Sequence, residues 1–350
     1  MAHKKTLFLI GAGFSANYSQ ATHQIDNLKP PMNDTFFPML KLLLEKTQSN
    51  SENEIEHLLQ YLCKSKGLPY HFDRQFLNNY FKDMEEIITD LSIQTSLFES
   101  SNKSKINNNF NTLIELIAYT FGRTLYGPVQ QDFIKFTKLL EPNDVIITFN
   151  YDLLLEKSLM HINKFNPNGY QIEYYKYLEN GLWQKEQKES KIKIYKLHGS
   201  INWLKCKECD TLMINDPEEF NRNSFDCKNI DTVKCPKCGE INSLFRLIIP
   251  PIQSKNYNEH PFRFLWRNAG KEIQDIRRIA SLGYRIPSTD YTTKSLLRSI
   301  LKNIGNEEIK LLTMNRSHSA EDEYKKLLPN IIKPLRSTNI LDFLTEFKKL

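Results

Sequence analysis

Six short apolar runs constrain the fold of this chain more than any other feature: LFLI at 7–10, DVIITFN at 144–150, KIKIYKLHGS at 191–200, FRLIIPP at 245–251, IRRIASLGY at 276–284 and IKLLTMN at 309–315. Continuous apolar runs of this length suit strands covered on both faces of a parallel sheet. Among them stand stretches with helical apolar spacing, such as YDLLLEKSLMHI, TKSLLRSILKN and AEDEYKKLLPNIIK. Short buried strands alternating with helices predict an α/β fold on a doubly wound, Rossmann-like parallel sheet. In such sheets a ligand lies beyond the carboxyl ends of the strands. The strand ends here read GAGFS, FNYD, LHGS, GYRIPSTD and MN.

The first of these follows G-x-G-x-x-A, close to the dinucleotide fingerprint. Gly11 and Gly13 free the backbone to turn sharply and admit a ligand, and a helix starting near Ser15 would aim its first amides at an anion. Paired glycines also occur as plain structural turns, so this stretch alone leaves both readings open.

A chain of 350 residues accommodates one elaborated domain or two. It contains no apolar run of about 18 residues, so no membrane span is expected. The N-terminus MAHKKTLFLIGAG has too short an apolar stretch for a signal peptide and reads as the first strand, which makes the cytoplasm the expected location. The net charge of +6 is spread among glutamates and reads as a solvated surface. Residues 18–35 are polar, contain two prolines and predict a loop over the glycine turn. From Phe36 to about Leu140 the spacing becomes helical, as in FFPMLKLLLEK, EIEHLLQYL and NTLIELIAYTFGRTL, and predicts a helical insertion. Within it SNKSKINNN reads as a polar loop.

Five of the six cysteines lie between 206 and 238. Cys206-Lys-Glu-Cys209 and Cys235-Pro-Lys-Cys238 form two C-x2-C knuckles separated by 25 residues. Two such knuckles complete a tetrahedral site for a structural Zn2+. Four thiolates leave no open coordination position, so catalysis by this metal is not expected. Cys227 reads as a spare thiol and Cys63 as a small buried one. Zinc ribbons can touch nucleic acid, which keeps a nucleic-acid contact open without support from other residues.

Taken in order, GAGFS, TFNYD at 148–152, LHGS at 197–200, the two knuckles, SLGY at 281–284 and a late Met-Asn resemble the sirtuin-like superfamily. FNYD and GYRIPSTD are most similar to its bacterial anti-phage defence branch, whose members cleave NAD+. That branch has G-Y-S-x-P-x-x-D, and Arg285 replaces the serine. The resemblance implies one sirtuin-like domain, with 1–35, 141–204 and 245–350 as the NAD-binding core, 36–140 as a helical insertion and 205–244 as a zinc-ribbon module. Lysine deacylases follow the glycine turn with G-I-P-D-F-R, absent from ANYSQATHQIDNLKPP, and use a cleft strand after the ribbon that IIPPIQSKNYNEH does not resemble.

By this resemblance the activity is hydrolysis of NAD+ to nicotinamide and ADP-ribose, as a toxic effector that depletes NAD+. Such a site must stabilise an oxocarbenium-like centre, hold the ribose hydroxyls and deliver water. Asn150 suits a ribose hydroxyl or the attacking water, or else caps the following helix. Asp152 would orient Asn150, balance positive charge, or favour the start of that helix. His198 is the candidate general base, against a plain loop histidine. Gly11, Ala12, Gly13, Phe14 and Ser15 would surround the diphosphate, and Gly283 and Asn315 the adenosine half. Phe14 and Tyr151 are core aromatics or shields for the nicotinamide. Alternatives are an NAD-dependent protein-lysine deacylase and a non-catalytic NAD or ADP-ribose sensor. A homo-oligomer and a HerA-type ATPase or other defence partner are further implications of the resemblance alone.

Overall fold

Leu7–Ile10 is completely enclosed, and the strands on either side of it decide where everything else lies. A computed structural model of the chain describes residues 4–18, 29–47, 52–71, 73–97, 103–125, 127–177, 183–184, 189–215, 233–249, 257, 259–287, 290–315, 317 and 319–350. In chain order its elements begin with β1 (Leu7–Ile10), α1 (Ala12–Ser15), α2 (Phe36–Thr47), α3 (Glu52–Ser65), α4 (Arg74–Tyr80), α5 (Met84–Leu97), α6 (Lys103–Thr124), α7 (Gln131–Leu139), β2 (Val145–Thr148) and α8 (Leu154–Met160). They continue with β3 (Tyr175–Tyr177), β4 (Trp183–Gln184), β5 (Ile194–Lys196), β6 (Gly199–Cys206), β7 (Leu212–Ile214) and β8 (Leu244–Ile248). The last are α9 (Phe262–Glu272), β9 (Arg278–Leu282), α10 (Tyr291–Ile304), β10 (Lys310–Met314), α11 (Ser319–Leu327), β11 (Leu335–Ser337) and α12 (Ile340–Glu346).

Six strands form one all-parallel sheet in the order β11-β10-β9-β1-β2-β5. The chain winds outward from β1 through β2 to β5, then returns to the other side of β1 for β9, β10 and β11. This is the doubly wound α/β arrangement expected from the short apolar runs. Its switch point falls between β1 and β9, where a crevice opens beyond the strand ends.

The run at 245–251 departs from that expectation. Its described part, β8, lies in a second sheet of order β4-β3-β7-β6-β8, antiparallel to β6. Run length and burial are alike for inner strands of either sheet type, so the apolar run carried no information on strand direction. β6 starts immediately after His198 and ends at Cys206.

The described residues from Phe36 to Leu140 are mainly helical, as the spacing predicts, but SNKSKINNN is not a loop from Lys103 onward. It forms the first turns of the 22-residue α6, where Ile106 and Asn109 are buried on the stripe continued by Leu113 and Ile117. Tertiary burial overrides the weak helix preference of asparagine here. The helices α2–α6 build their own apolar core, and Tyr151, Leu153, Ile201 and Ile248 are part of it. Arg246 on β8 ties α6 to the second sheet, donating to Glu115 at 2.6 Å and to the Ile201 carbonyl at 2.6 Å. Among the described residues no helix is long and apolar enough to cross a membrane.

Gly283 closes the contact between β9 and the glycine turn. Its φ is +65°, and a Cβ there would stand 2.2 Å from the Phe14 nitrogen and 2.3 Å from the Gly13 carbonyl carbon. A Cβ on Gly13 would in turn meet the Gly283 Cα at 2.7 Å. These glycines therefore serve the approach of two backbones to each other. Gly283→Ala is expected to lower the unfolding free energy by about 2–5 kcal/mol, combining the left-handed penalty with overpacking. Gly305→Ala shares a positive φ of +57° but has nothing within 4 Å. It should lose only about 1–2 kcal/mol when both variants are unfolded in urea.

Candidate functional site

A cleft of about 1540 Å³ opens at the switch point. Gly11, Ala12, Ser15, Phe149, Asn150, Asp152, His198 and Gly283 line its floor, all from strand ends of the parallel sheet or the turns after them. The opposite wall comes from the helical segment, through Phe36, Lys66, Phe121 and the first turns of α5.

Asn150 and Asp152 face this cleft because they alternate with Tyr151 and Leu153, which point into the helical core. The Asn150 Nδ2 donates to the Gly11 carbonyl at 3.1 Å and to Ser15 Oγ at 3.1 Å. A carbonyl can only accept, so Gly11 fixes which way the amide points. Oδ1 is left without a partner among the described residues. The Ser15 hydroxyl in turn donates to Asp152 Oδ2 at 2.6 Å, and Asp152 Oδ1 accepts from the Leu154 amide at 3.0 Å. Asp152 is thus linked to Asn150 through Ser15 and also accepts from the first amide of α8, and the Ser15 hydroxyl is committed to it.

His198 is held at the head of β6. Its carbonyl accepts from the Ile249 amide at 2.8 Å, and Gly199 follows with a φ of +81° and no space for a Cβ beside the Leu247 carbonyl, 2.1 Å away. The HG dipeptide is therefore a backbone requirement of the β6–β8 pairing. The imidazole lies edge-on to Phe149 at 5.2 Å, and its Nε2 is 3.2 Å from the Tyr257 hydroxyl. Burial, and after it the Asp290 carboxylate, hold the Tyr257 phenol well above its ordinary pKa. It therefore keeps its proton.

The GYRIPSTD segment supplies the other side. Tyr284 stacks on Phe149 with ring centroids 4.1 Å apart and 14° between planes, and its hydroxyl donates to Asp290 Oδ2 at 3.1 Å. Burial and then Asp290 raise this phenol too. Asp290 also caps α10 through the Thr293 amide at 3.1 Å and hydroxyl at 2.9 Å. Ser288 and Thr289 of this segment lie outside the described residues.

Three expected ligand contacts are not brought into the cleft as side chains. Phe14 packs inward against Phe133 and Phe136, with centroids at 5.1 and 5.3 Å, so it is a core aromatic. Gly13 is spent on Gly283, its amide donating to the Gly283 carbonyl at 3.0 Å. Asn315 follows β10 but is bound away from the cleft, its amide donating to Ser337 and its carbonyl accepting from Arg336. Tyr151 is buried with its hydroxyl on the Ile249 carbonyl at 2.7 Å, while part of it still lines the cleft.

Behind the floor lies a pair that the strand and helix patterns did not reveal. Lys196 and Glu156 are 0% and 1% exposed and 2.8 Å apart. Lys196 also donates to the Asp152 carbonyl at 2.6 Å, and Tyr170 donates to Glu156 at 3.1 Å. A lysine inside the apolar run KIKIYKL was the available signal, because a buried charge demands a counter-ion.

At the far end of β6, the sulfurs of Cys206, Cys209, Cys235 and Cys238 lie within 4.8 Å of one another. Cys206–Cys238 and Cys209–Cys235 are 3.7 and 3.5 Å apart. Tetrahedral ligation at about 2.3 Å gives sulfur–sulfur edges of about 3.8 Å, so the set fits one metal ion. Burial opposes ionisation of Cys209, but hydrogen bonds from the Thr211 hydroxyl and amide bring its pKa down to about 6. The cluster is roughly 25 Å along the strand from His198, too far to act on the same substrate atom. Cys227 lies outside the described residues; Cys63 is buried, as expected.

Residues 144–232 match the family model of the SIR2-like domain. That span holds Asn150, Asp152, Glu156, Lys196, His198 and the first cysteine knuckle. The match agrees with the sirtuin-like resemblance of the ordered motifs and supports a sirtuin-type, NAD-dependent function. Among solved structures, the chain is similar to one described as "Structural Basis for the Mechanism and Regulation of Sir2 Enzymes", with 13% identity, a TM-score of 0.44, and 99% of this chain and 93% of that chain covered. Another is Sir2 with the inhibitor EX-527, 2'-O-acetyl-ADP-ribose and a deacetylated p53 peptide, at 11% identity and a TM-score of 0.39, with the same coverage of 99% and 93%. No curated protein matches the chain.

Lys196→Met or Glu156→Leu alone should destabilise the chain by about 3–5 kcal/mol, because each leaves a buried charge unpaired. The double variant should recover most of that loss in urea unfolding, and equal losses for singles and double would refute the pairing argument.

Proposed function

We propose that this chain is an NAD+ hydrolase that cleaves the nicotinamide–ribose bond to give nicotinamide and ADP-ribose. The observation that carries the reading is Asn150: its amide is locked by Gly11 and by the Ser15–Asp152 relay, with Oδ1 unpartnered in a cleft that also holds His198.

In this reading Asn150 Oδ1 accepts a hydrogen bond from a ribose hydroxyl or the attacking water, and His198 takes the proton. Asp152 acts at one remove, keeping the amide orientation through Ser15 and lending negative charge as the ribose becomes oxocarbenium-like. Phe149 and Tyr284 form an apolar face that limits access of bulk water. Gly11 to Ser15 carry the diphosphate by backbone surface, with Ala12 the exposed residue of that turn, and Gly283 adjoins it. Asn315, at the end of β10, is read with the adenosine half, although it does not line the cleft.

The four cysteines would hold Zn2+ as a structural ion. The division into an NAD-binding core at 1–35, 141–204 and 245–350, a helical insertion at 36–140 and a zinc-ribbon module at 205–244 belongs to the same reading. FNYD and GYRIPSTD support a toxic effector of anti-phage defence; a cytoplasmic location and a homo-oligomer with a defence-system partner such as a HerA-type ATPase are inferred with it, the oligomer and partner from the resemblance alone.

Purified chain incubated with NAD+ should release nicotinamide and ADP-ribose in equal amounts without any acylated peptide. Release that requires such a peptide would instead identify a deacylase, and ligand binding without turnover a sensor. Asn150→Ala and His198→Ala should each slow release by roughly a hundredfold or more with unchanged circular dichroism. Metal analysis should find one zinc per chain, and Cys209→Ser should lose the ion and melt at lower temperature.

A further inference from the structure

The glycine turn has few donors left for an anion. The Gly11 amide donates to the Leu282 carbonyl at 3.0 Å, the Gly13 amide to Gly283 at 3.0 Å, and the Phe14 amide to Gly11 at 2.9 Å. The Ser15 hydroxyl is committed to Asp152. The backbone that a dinucleotide fingerprint would offer to a diphosphate is thus largely taken up by the protein's own carbonyls.

The charged groups lining the cleft make the problem sharper. α5 and the turn before it present Asp83, Glu85, Glu86 and Asp90, and α11 presents Glu323. An anionic ligand needs a cation to offset this wall. Two cationic side chains line the cleft among the described residues, Lys66 and Arg285. Lys66 is neutralised by Glu86 at 2.9 Å. Arg285 is exposed and has no hydrogen-bond or ion-pair partner among the described residues. It follows Tyr284, whose Cα lies 2.7 Å from where a Cβ on Gly11 would stand, so its backbone adjoins the turn.

We propose that Arg285 binds the diphosphate of the dinucleotide and so sets affinity for the substrate, an assignment that rests on the NAD+ reading of this cleft. A guanidinium is always charged and offers a planar fork of donors to phosphate oxygens. The hydroxyl expected at this position by family resemblance would supply a single donor and no charge. Arg285 therefore provides charge that the occupied turn amides cannot.

The test is calorimetric titration of the full chain with ADP-ribose and with adenosine, which lacks the diphosphate, together with the KM for NAD+ and for NADP+. Arg285→Ser and Arg285→Ala should weaken ADP-ribose binding by roughly tenfold to a hundredfold, the range of a charge-assisted hydrogen bond. The variants should bind adenosine as the wild type does and raise the KM for NAD+ by a similar factor, and Arg285→Lys should lie between. Wild-type turnover of NAD+ with an unchanged KM and unchanged ADP-ribose binding in Arg285→Ser would overturn the assignment and leave the hydrolase reading standing. A loss confined to NADP+ would also overturn it, moving the guanidinium from the diphosphate to a 2'-phosphate. Absence of both binding and turnover in the wild type would overturn the hydrolase reading and this assignment with it.

Discussion

The backbone contact between Gly13 and Gly283 governs the site. It joins the carboxyl ends of β1 and β9, the neighbouring strands across which the sheet reverses its direction of winding. Because neither residue carries a Cβ, the two turns touch and the cleft opens above them. Phe149 and Tyr284, from the strands flanking β1, can then meet at 4.1 Å across the end of β1. A side chain at either glycine would separate the turns, and with them the aromatic stack and the register of Asn150 over Gly11.

The helical segment belongs to the same construction. Its core incorporates Tyr151 and Leu153, the neighbours of Asn150 and Asp152, so residues on one short loop serve two interiors by alternation. The Arg246–Glu115 pair, 4% and 19% exposed at the side chain, connects α6 to the second sheet just where β6 carries Ile201. Helices, cleft and second sheet are therefore bound through the few residues around Asn150 and His198.

Much of this was legible in the sequence for definite reasons. Unbroken apolar runs flanked by turn residues gave the buried strands, because a strand covered on both faces takes that composition, and the polar residues after them marked the cleft. The C-x2-C spacing gave the four-cysteine cluster, since two thiols that close in sequence converge in one tight knuckle. Strand direction was not legible, and FRLII went to the second sheet, although Arg246 within it hinted at a different environment. The start of α6 was hidden by asparagines whose preference is weaker than the burial of Ile106. The packing of Gly11 and Gly13 against Gly283 and Tyr284 was not legible, because a glycine that admits a ligand and one that admits a neighbouring strand look alike until the neighbour is known. Tyr257 meets His198, Tyr284 stacks on Phe149 and Lys196 pairs with Glu156 across long stretches of sequence, so only the lysine within KIKIYKL gave a local sign of these contacts.

β6 is fastened at both ends. Gly199 is wedged against the Leu247 carbonyl at one end, and Cys206 gathers with three other sulfurs at the other. Successive side chains of a strand face opposite ways, so a slip of one residue would turn the imidazole side of the strand away from the cleft. The irregular pairing between Gly199 and Leu204 leaves β6 with a stretch where such a slip would otherwise begin. A metal ion held by those four sulfurs, roughly 25 Å away, would thus bear on the cleft without any field or contact there, by denying the strand a second register.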